Sequence, residues 1–307
     1  MFLKFKNSIL GISLLATLAI GACTSKPYVR EEAAKRISAP VWMVNRQIPA
    51  NEYSITAYER MHKRHSIAHL YIEGDGSTWT AKNPQSVNPT PINPVALHLA
   101  AHDLAENVVY LARPCQYSTM VSKTASCPTE AWTNGRFSQG VIDAYKTAMD
   151  EIKKRYDITE FHLIGHSGGG AIAAILATQR DDVLSLRTVA APLNHTAFTH
   201  MHAMPPMDKS INPIDLASQL RTVPQHHFIG GQDRLTQPAI LHSYLQALGA
   251  NNCTAYTFIQ EAEHEAGWVE KWPELLAKTP LCAGPQLDFS HDPYQPVRIE
   301  REAPAKP

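Results

Sequence analysis

Apolar, β-branched runs alternate along the chain with stretches of helical periodicity, and this alternation predicts its elements. Residues 41–47 and 53–58 are rich in β-branched and aromatic side chains and flank a short turn, which predicts a hairpin. Further strands are predicted at 67–72, 107–112, 160–164, 186–191, 225–229 and 254–259, and helices at 95–106, 137–156, 171–178, 238–248 and 268–278. The first predicted strands form an antiparallel hairpin, and the later strands alternate with helices. This order predicts an α/β fold with a mostly parallel sheet and helices on both faces.

Two segments depart from this alternation. Residues 192–223 are rich in proline, methionine and histidine and predict a short cap that shapes a substrate pocket; a long structural connection is the alternative. Residues 284–307 are rich in proline and charge, which predicts a surface-bound or disordered tail. A single domain at 41–283 suits a chain of 307 residues with 44% hydrophobic residues.

The motif Gly-His-Ser-Gly-Gly at 165–169 follows an apolar run and precedes a run of good helix formers. It fits the G-x-S-x-G pattern, in which a sharp strand-to-helix turn exposes the serine hydroxyl and requires small residues on either side. Ser167 is therefore the candidate nucleophile.

A serine hydroxyl needs a base to take its proton and a carboxylate to orient that base. Asp233 lies in a glycine-containing loop after the strand predicted at 225–229, and His264 follows the last predicted strand. In proteins with the G-x-S-x-G pattern, the catalytic residues follow the same order along the chain: Ser, then Asp, then His.

This combination resembles the α/β-hydrolase superfamily, and the resemblance covers residues 41–278. It implies an α/β-hydrolase fold, with Ser167 as nucleophile, His264 as base and then acid, and Asp233 as the residue that orients the imidazole. Carboxylic esters are the default substrates, and the reaction passes through an acyl-enzyme intermediate without any cofactor.

The resemblance also implies an oxyanion hole made of backbone N–H groups. The N–H of Gly168, after the nucleophile, is one expected donor. The second should follow the third strand, where the N–H of Asp75, or alternatively that of Gly76, is the candidate. Many family members carry a His-Gly motif here, and Glu73 replaces the histidine in this chain.

Four further residues are candidates for lining the pocket: His166, Phe198, Met201 and Met204. Packing within the turn or the loop is the alternative for each. Histidines also cluster at 62–69, 98–102 and 195–202, but none of these sets has the H-E-x-x-H pattern, so no metal is expected.

The first six residues include two lysines and precede an apolar stretch at 9–20, a layout typical of a signal peptide, predicted here at 1–22. Residues 20–23, Ile-Gly-Ala-Cys, resemble a bacterial lipobox, which implies lipidation of Cys23; an ordinary cleaved signal is the alternative. The polar residues at 23–40 predict a tether. Thr24 favours the outer membrane, facing the periplasm or the exterior, over retention at the inner membrane.

Four other cysteines remain, an even number in an oxidising compartment, and they predict two disulfides. Proximity along the chain favours Cys115 with Cys127 and Cys253 with Cys282 among the three possible pairings.

The 28 basic and 28 acidic residues balance, which gives no indication of nucleic-acid binding. The expected partners are a small ester or acyl substrate and, through the lipid, a membrane. A peptidase, amidase or thioesterase would use the same residues. A binding lipoprotein that keeps the fold without turnover is the alternative from another class.

Overall fold

The computed structural model describes residues 26–78, 86, 88–117, 127–283, 287–288 and 297–298 of the chain. The predicted signal peptide at 1–22, the predicted lipidation site Cys23 and most of the predicted tail at 284–307 lie outside the described residues. Within that tail, Leu287–Asp288 and Val297–Arg298 pair as two short antiparallel strands.

Eight strands of the described residues form one sheet. They are β1 (Val44–Ala50), β2 (Tyr53–Met61), β3 (Ser66–Ile72), β4 (Asn107–Leu111), β5 (Ile158–His166), β6 (Val183–Val189), β7 (Gln225–Gly230) and β8 (Thr254–Ile259). Their order across the sheet is β1-β2-β4-β3-β5-β6-β7-β8. Strand β2 is antiparallel to β1 and β4, and the pairs from β4-β3 to β7-β8 are parallel. The predicted mostly parallel sheet is confirmed.

Helices cover both faces of this sheet. They are α1 (Lys26–Ser38), α2 (Val95–Ala101), α3 (Gln139–Tyr156), α4 (Gly168–Gln179), α5 (His195–Met201), α6 (Pro238–Leu248) and α7 (Trp272–Leu276). Side chains alternate along a strand, so Leu70 and Ile72 of β3 belong to the core on the face that α3, α4 and α6 cover, whereas Tyr71 belongs to the core on the other face, with α2 and α7. Parallel neighbours require such crossover helices.

The segment predicted as a tether is largely helical, and this prediction was wrong for residues 26–38. Helix α1 packs against α2 through Ala34, which is fully buried. The Nη1 of Arg30 also donates to the carbonyls of Asn88 (3.1 Å) and Thr90 (2.7 Å). A polar composition therefore concealed one buried helix face and one long-range anchor, and α1 is part of the folded body.

Some element ends differ from the predictions. Helix α2 ends at Ala101 instead of 106, and α7 is confined to Trp272–Leu276 because residues 261–271 form turns around Gly267, whose φ is 83°. The predicted cap at 192–223 contains α5 and a 3-10 helix, Pro213–Leu220. Two side chains of that 3-10 helix, Ala217 and Leu220, are buried in the core.

The cysteines pair as predicted, Cys115 with Cys127 and Cys253 with Cys282. No helix of the described residues is long and apolar enough to cross a bilayer.

Candidate active site

Ser167 occupies the sharp turn between β5 and α4. Its φ is 51°, a left-handed conformation that is uncommon for a residue with a side chain. A Cβ at Gly165 would collide with the Gly169 carbonyl, and a Cβ at Gly169 would collide with the Ile72 carbonyl. The glycines are therefore required because neighbouring backbone passes directly against them.

The structure brings together Ser167, His264 and Asp233. The His264 Nε2 lies 2.9 Å from the Ser167 Oγ, and its Nδ1 lies 2.9 Å from the Asp233 Oδ2. A carboxylate can only accept here, so Nδ1–H donates to Asp233 and Nε2 is left to accept the serine proton. The three residues follow β5, β8 and β7, whose carboxyl ends meet at one edge of the sheet.

The Asp233 carboxylate is held in its charged form. Burial alone would raise its pKa, but the hydrogen bond and charge of His264, together with backbone N–H groups, lower the pKa below its ordinary value. Those N–H groups belong to Leu235 and Thr236, each 2.8 Å from the Asp233 Oδ1. The carboxylate thus has one oxygen fixed by its own loop and the other directed to His264.

Asp75, the predicted second oxyanion donor, lies beside the turn. A Cβ at Gly168 would collide with the Asp75 carboxylate, which shows how closely the two residues approach. That carboxylate is paired with the Nη1 atoms of Arg113 (2.6 Å) and Arg136 (2.7 Å). Burial would raise the Asp75 pKa, but the two guanidinium groups outweigh it and lower the pKa. Its negative charge is therefore balanced by two guanidinium groups beside the turn that carries Ser167.

Gly168 is the first residue of α4, so its N–H has no acceptor within the helix and can serve an external oxygen. The helix dipole adds to this preference for negative charge. Arg113 and Arg136 were missed by sequence reasoning, because charge pairs between residues far apart in sequence leave no local pattern.

Glu73, which replaces the histidine of the expected His-Gly motif, directly follows β3 and is buried beside the site. It accepts hydrogen bonds from the backbone N–H groups of Gly74 (2.9 Å), Ala96 (3.3 Å) and Leu97 (3.4 Å). The last two belong to the first turn of α2, so Glu73 caps that helix. Burial raises its pKa to about 7 despite these hydrogen bonds.

His166 lies beneath the serine and contacts the histidine loop. Its Nε2–H donates to the backbone carbonyl of His264 (2.8 Å), which also accepts from the Trp268 Nε1 (3.2 Å). Burial, with the neighbouring His264, lowers the His166 pKa to about 3, so this ring is neutral at ordinary pH. The His166 Nδ1 is buried without a hydrogen-bond partner among the described residues.

A cavity of about 140 Å³ opens above these residues. The predicted pocket residues His166, Phe198 and Met204 line it, together with Ser167, Asp75, Gly76, Arg136, Leu235, His264 and others. Met201 does not line it. This last residue of α5 leaves 38% of its surface exposed to solvent, so that prediction was wrong.

The three histidine clusters noted in the sequence are not completed into a metal site by other side chains of the described residues. Among the described residues, no group of three or more histidine, cysteine, aspartate or glutamate side chains is placed to hold a metal ion. Two of the clustered histidine rings have other partners, since the His69 Nδ1 pairs with Asp103 and the His195 Nε2–H donates to the Ser210 carbonyl.

Neither a family model nor a curated protein sequence matches the chain. Solved structures do match. An alpha-beta serine hydrolase homologue from Coxiella burnetii is 16% identical with a TM-score of 0.52, covering 76% of this chain and 93% of that one. The esterase Pf2001 from Pyrococcus furiosus is 13% identical with a TM-score of 0.52, covering 78% and 90%.

Est1E from Butyrivibrio proteoclasticus is 10% identical with a TM-score of 0.52, covering 76% of this chain and 98% of that one. The chain has the α/β-hydrolase fold. Identities this low establish a shared fold only. The chemistry of this chain therefore has to be inferred from its own site.

Proposed function

We propose that the chain is a serine hydrolase that cleaves carboxylic esters through an acyl-enzyme intermediate. The observation that carries this proposal is the hydrogen-bonded series of Ser167, His264 and Asp233 at the floor of a cavity. An isolated serine in a glycine-rich turn would need neither a histidine at 2.9 Å nor a buried carboxylate behind it.

The reaction begins when the Ser167 Oγ attacks the ester carbonyl while its proton passes to the His264 Nε2. Asp233 holds the imidazole in the tautomer that can accept this proton and stabilises the imidazolium that forms. The N–H groups of Gly168 and Asp75 bind the oxyanion of the tetrahedral intermediate.

Collapse of this intermediate expels the alcohol, which takes the proton from His264. Water then attacks the acyl-Ser167 ester along the same route, with His264 again as base, and releases the acid.

The composition of the cavity supports an ester with an apolar acyl or alcohol group. Phe198, Met204 and Leu235 supply apolar surface, and methionine adapts to irregular ligands. Esters are proposed ahead of amides because an alcohol leaves more readily than an amine and needs less assistance from a general acid. Thioesters are not disfavoured by this argument, and the test below therefore includes one.

The same proposal places the protein in a bacterial cell envelope, attached through a lipid on Cys23 and favouring the outer membrane. It rests on the basic and apolar leader at 1–22 and on the lipobox-like residues 20–23.

The test is hydrolysis of matched p-nitrophenyl ester, anilide and thioester substrates by the full chain, beside Ser167→Ala and the control Ser54→Ala in the β1–β2 hairpin. We expect ester turnover that Ser167→Ala abolishes and Ser54→Ala retains. Turnover of the anilide at a comparable rate would make the protein an amidase. A folded protein that turns over none of the substrates but binds a ligand would be a binding lipoprotein.

A further inference from the structure

The start of helix α1 lies at the end of the molecule where the cavity opens. Arg30, in the second turn of α1, donates to the carbonyls of Asn88 and Thr90. The residues that follow, Pro91 and Asn93, line the cavity. The beginning of α1 is therefore fixed to the segment that forms the cavity wall.

The same segment is joined to the histidine loop. The Asn93 Nδ2 donates to the Glu265 carbonyl at 3.2 Å, and Glu265 follows His264 in sequence and also lines the cavity. A continuous set of contacts thus runs from α1 through residues 88–93 to the loop that carries the proposed base.

Three large apolar side chains next to these contacts in the sequence are exposed, and we call them the mouth patch: Tyr28 (64% exposed), Val29 (58%) and Ile92 (71%). Helical side chains lean toward the N-terminus of their helix, so Tyr28 and Val29 lean toward the preceding residues. Trp42 is 82% exposed but lies beyond the other end of α1, about 20 Å away along a 13-residue helix.

Cys23 precedes the first residue of α1 by only three residues. Three residues can span at most about 10 Å, so a lipid on Cys23 would hold the start of α1 close to the bilayer surface. The mouth patch would be the apolar surface nearest the acyl chains, where it gains free energy by leaving water.

We propose that the mouth patch docks on the bilayer that holds the lipid anchor, so that the cavity opens toward the membrane and takes amphiphilic esters from it. This inference rests on the proposed ester hydrolysis and on the proposed lipidation. It goes beyond them because it fixes the orientation of the domain and the class of substrate: esters dissolved in the lipid phase.

The test uses the full lipidated chain in vesicles of phosphatidylethanolamine and phosphatidylglycerol. Two substrates are compared, a long-chain p-nitrophenyl ester dissolved in the bilayer and p-nitrophenyl acetate in water. The variants are Tyr28→Ser and Ile92→Ser, with Trp42→Ser as the matched control at the far end of α1. All three positions are exposed, and thermal unfolding checks that each variant is folded.

We expect Tyr28→Ser and Ile92→Ser to slow turnover of the bilayer ester on the order of tenfold while acetate turnover is unchanged, since weaker docking lowers access and leaves the chemistry intact. Trp42→Ser should change neither rate. The inference is wrong if the wild type cleaves acetate but the patch variants cleave the bilayer ester as fast as the wild type. It is also wrong if only Trp42→Ser slows cleavage of the bilayer ester. If the wild type cleaves neither ester, the proposed function fails instead.

A second measurement reports position without activity. Ile92→Trp adds a fluorophore to the patch, and we expect brominated lipid to quench the added emission relative to wild type. If brominated lipid leaves the added emission unchanged, the proposed orientation is wrong. It is also wrong if Cys23→Ala does not reduce the quenching, because docking would then be independent of the anchor.

Discussion

At the scale of single residues, His166 links the proposed nucleophile to the proposed base. It directly precedes Ser167 in the chain, and its Nε2–H holds the backbone of His264 at 2.8 Å. Because its pKa is lowered to about 3 by burial, the ring stays neutral and keeps one fixed donor over the working pH range. We therefore expect His166 to be a positioning residue that sets the His264 imidazole relative to Ser167.

Replacing His166 by Leu should lower kcat on the order of a hundredfold with little change in KM, because a small displacement of a base costs that much. His166→Gln keeps an N–H near the same position and should restore most of the rate. Steady-state kinetics on a soluble ester measure both effects.

His227→Leu is the matched control, since His227 is also a buried histidine whose pKa burial lowers to about 3, but its side chain bonds to Thr188 and not to Ser167, Asp233 or His264. It should lose stability without loss of kcat. If His166→Leu keeps the wild-type kcat, or loses no more of it than His227→Leu does, then His166 has a packing role only.

The sequence could indicate Ser167, Asp233 and His264, because each follows a predicted strand and the elbow has a local pattern. It could not indicate Arg113 or Arg136. Their pairing with Asp75 depends on bringing together residues that are 38 and 61 positions apart in the sequence. Met201 was predicted to line the pocket from its residue type alone, and the end of α5 directs it to solvent.

At the scale of elements, Glu73 joins β3 to α2 by capping the first turn of the helix. Its pKa is raised to about 7 from an ordinary value of 4.5. The native state therefore binds this proton more tightly than the unfolded chain does. The resulting stability is fully present below about pH 4.5 and is lost as the pH rises through about 7.

Glu73→Gln should remove this dependence, because the amide can still accept the N–H bonds but does not ionise. We expect thermal unfolding to show the variant gaining stability relative to wild type between pH 5 and pH 8, by at most about 3 kcal/mol. Glu52→Gln, at an exposed turn, should show no such trend. A stability difference between Glu73→Gln and wild type that is constant with pH would contradict the raised pKa.

Periodicity predicted the central strands well, because buried β-branched runs are typical of parallel sheets. Helix α1 was missed for a physical reason. Its stability comes from contacts with α2 and with the carbonyls of residues 88 and 90, and neither is visible in the polar sequence of the helix itself.

At the scale of the whole molecule, the disulfide between Cys253 and Cys282 joins the start of β8 to the segment that follows α7. It closes a stretch with a sequence separation of 29 residues that contains His264. Cys253 lies at the amino end of its strand, whereas the site lies at the carboxyl ends, so the bond is expected to stabilise the fold without entering the chemistry.

Replacing both cysteines by serine should lower the free energy of unfolding by about 3 kcal/mol in the chain-entropy model. Denaturant unfolding measures this loss, and ester hydrolysis well below the melting temperature should be unchanged. A large fall in kcat of the folded variant would instead mean that the bond holds the His264 loop in place.

The central claim is that Ser167 is a nucleophile activated by His264, and covalent labelling tests it most directly. The full chain is treated with a fluorophosphonate, and the modified peptide is located by mass spectrometry, with Ser167→Ala and His264→Gln alongside. We expect one adduct, on Ser167, that is absent in Ser167→Ala and much slower in His264→Gln. A folded wild-type protein that stays unlabelled, or an adduct that persists in Ser167→Ala, would contradict the account.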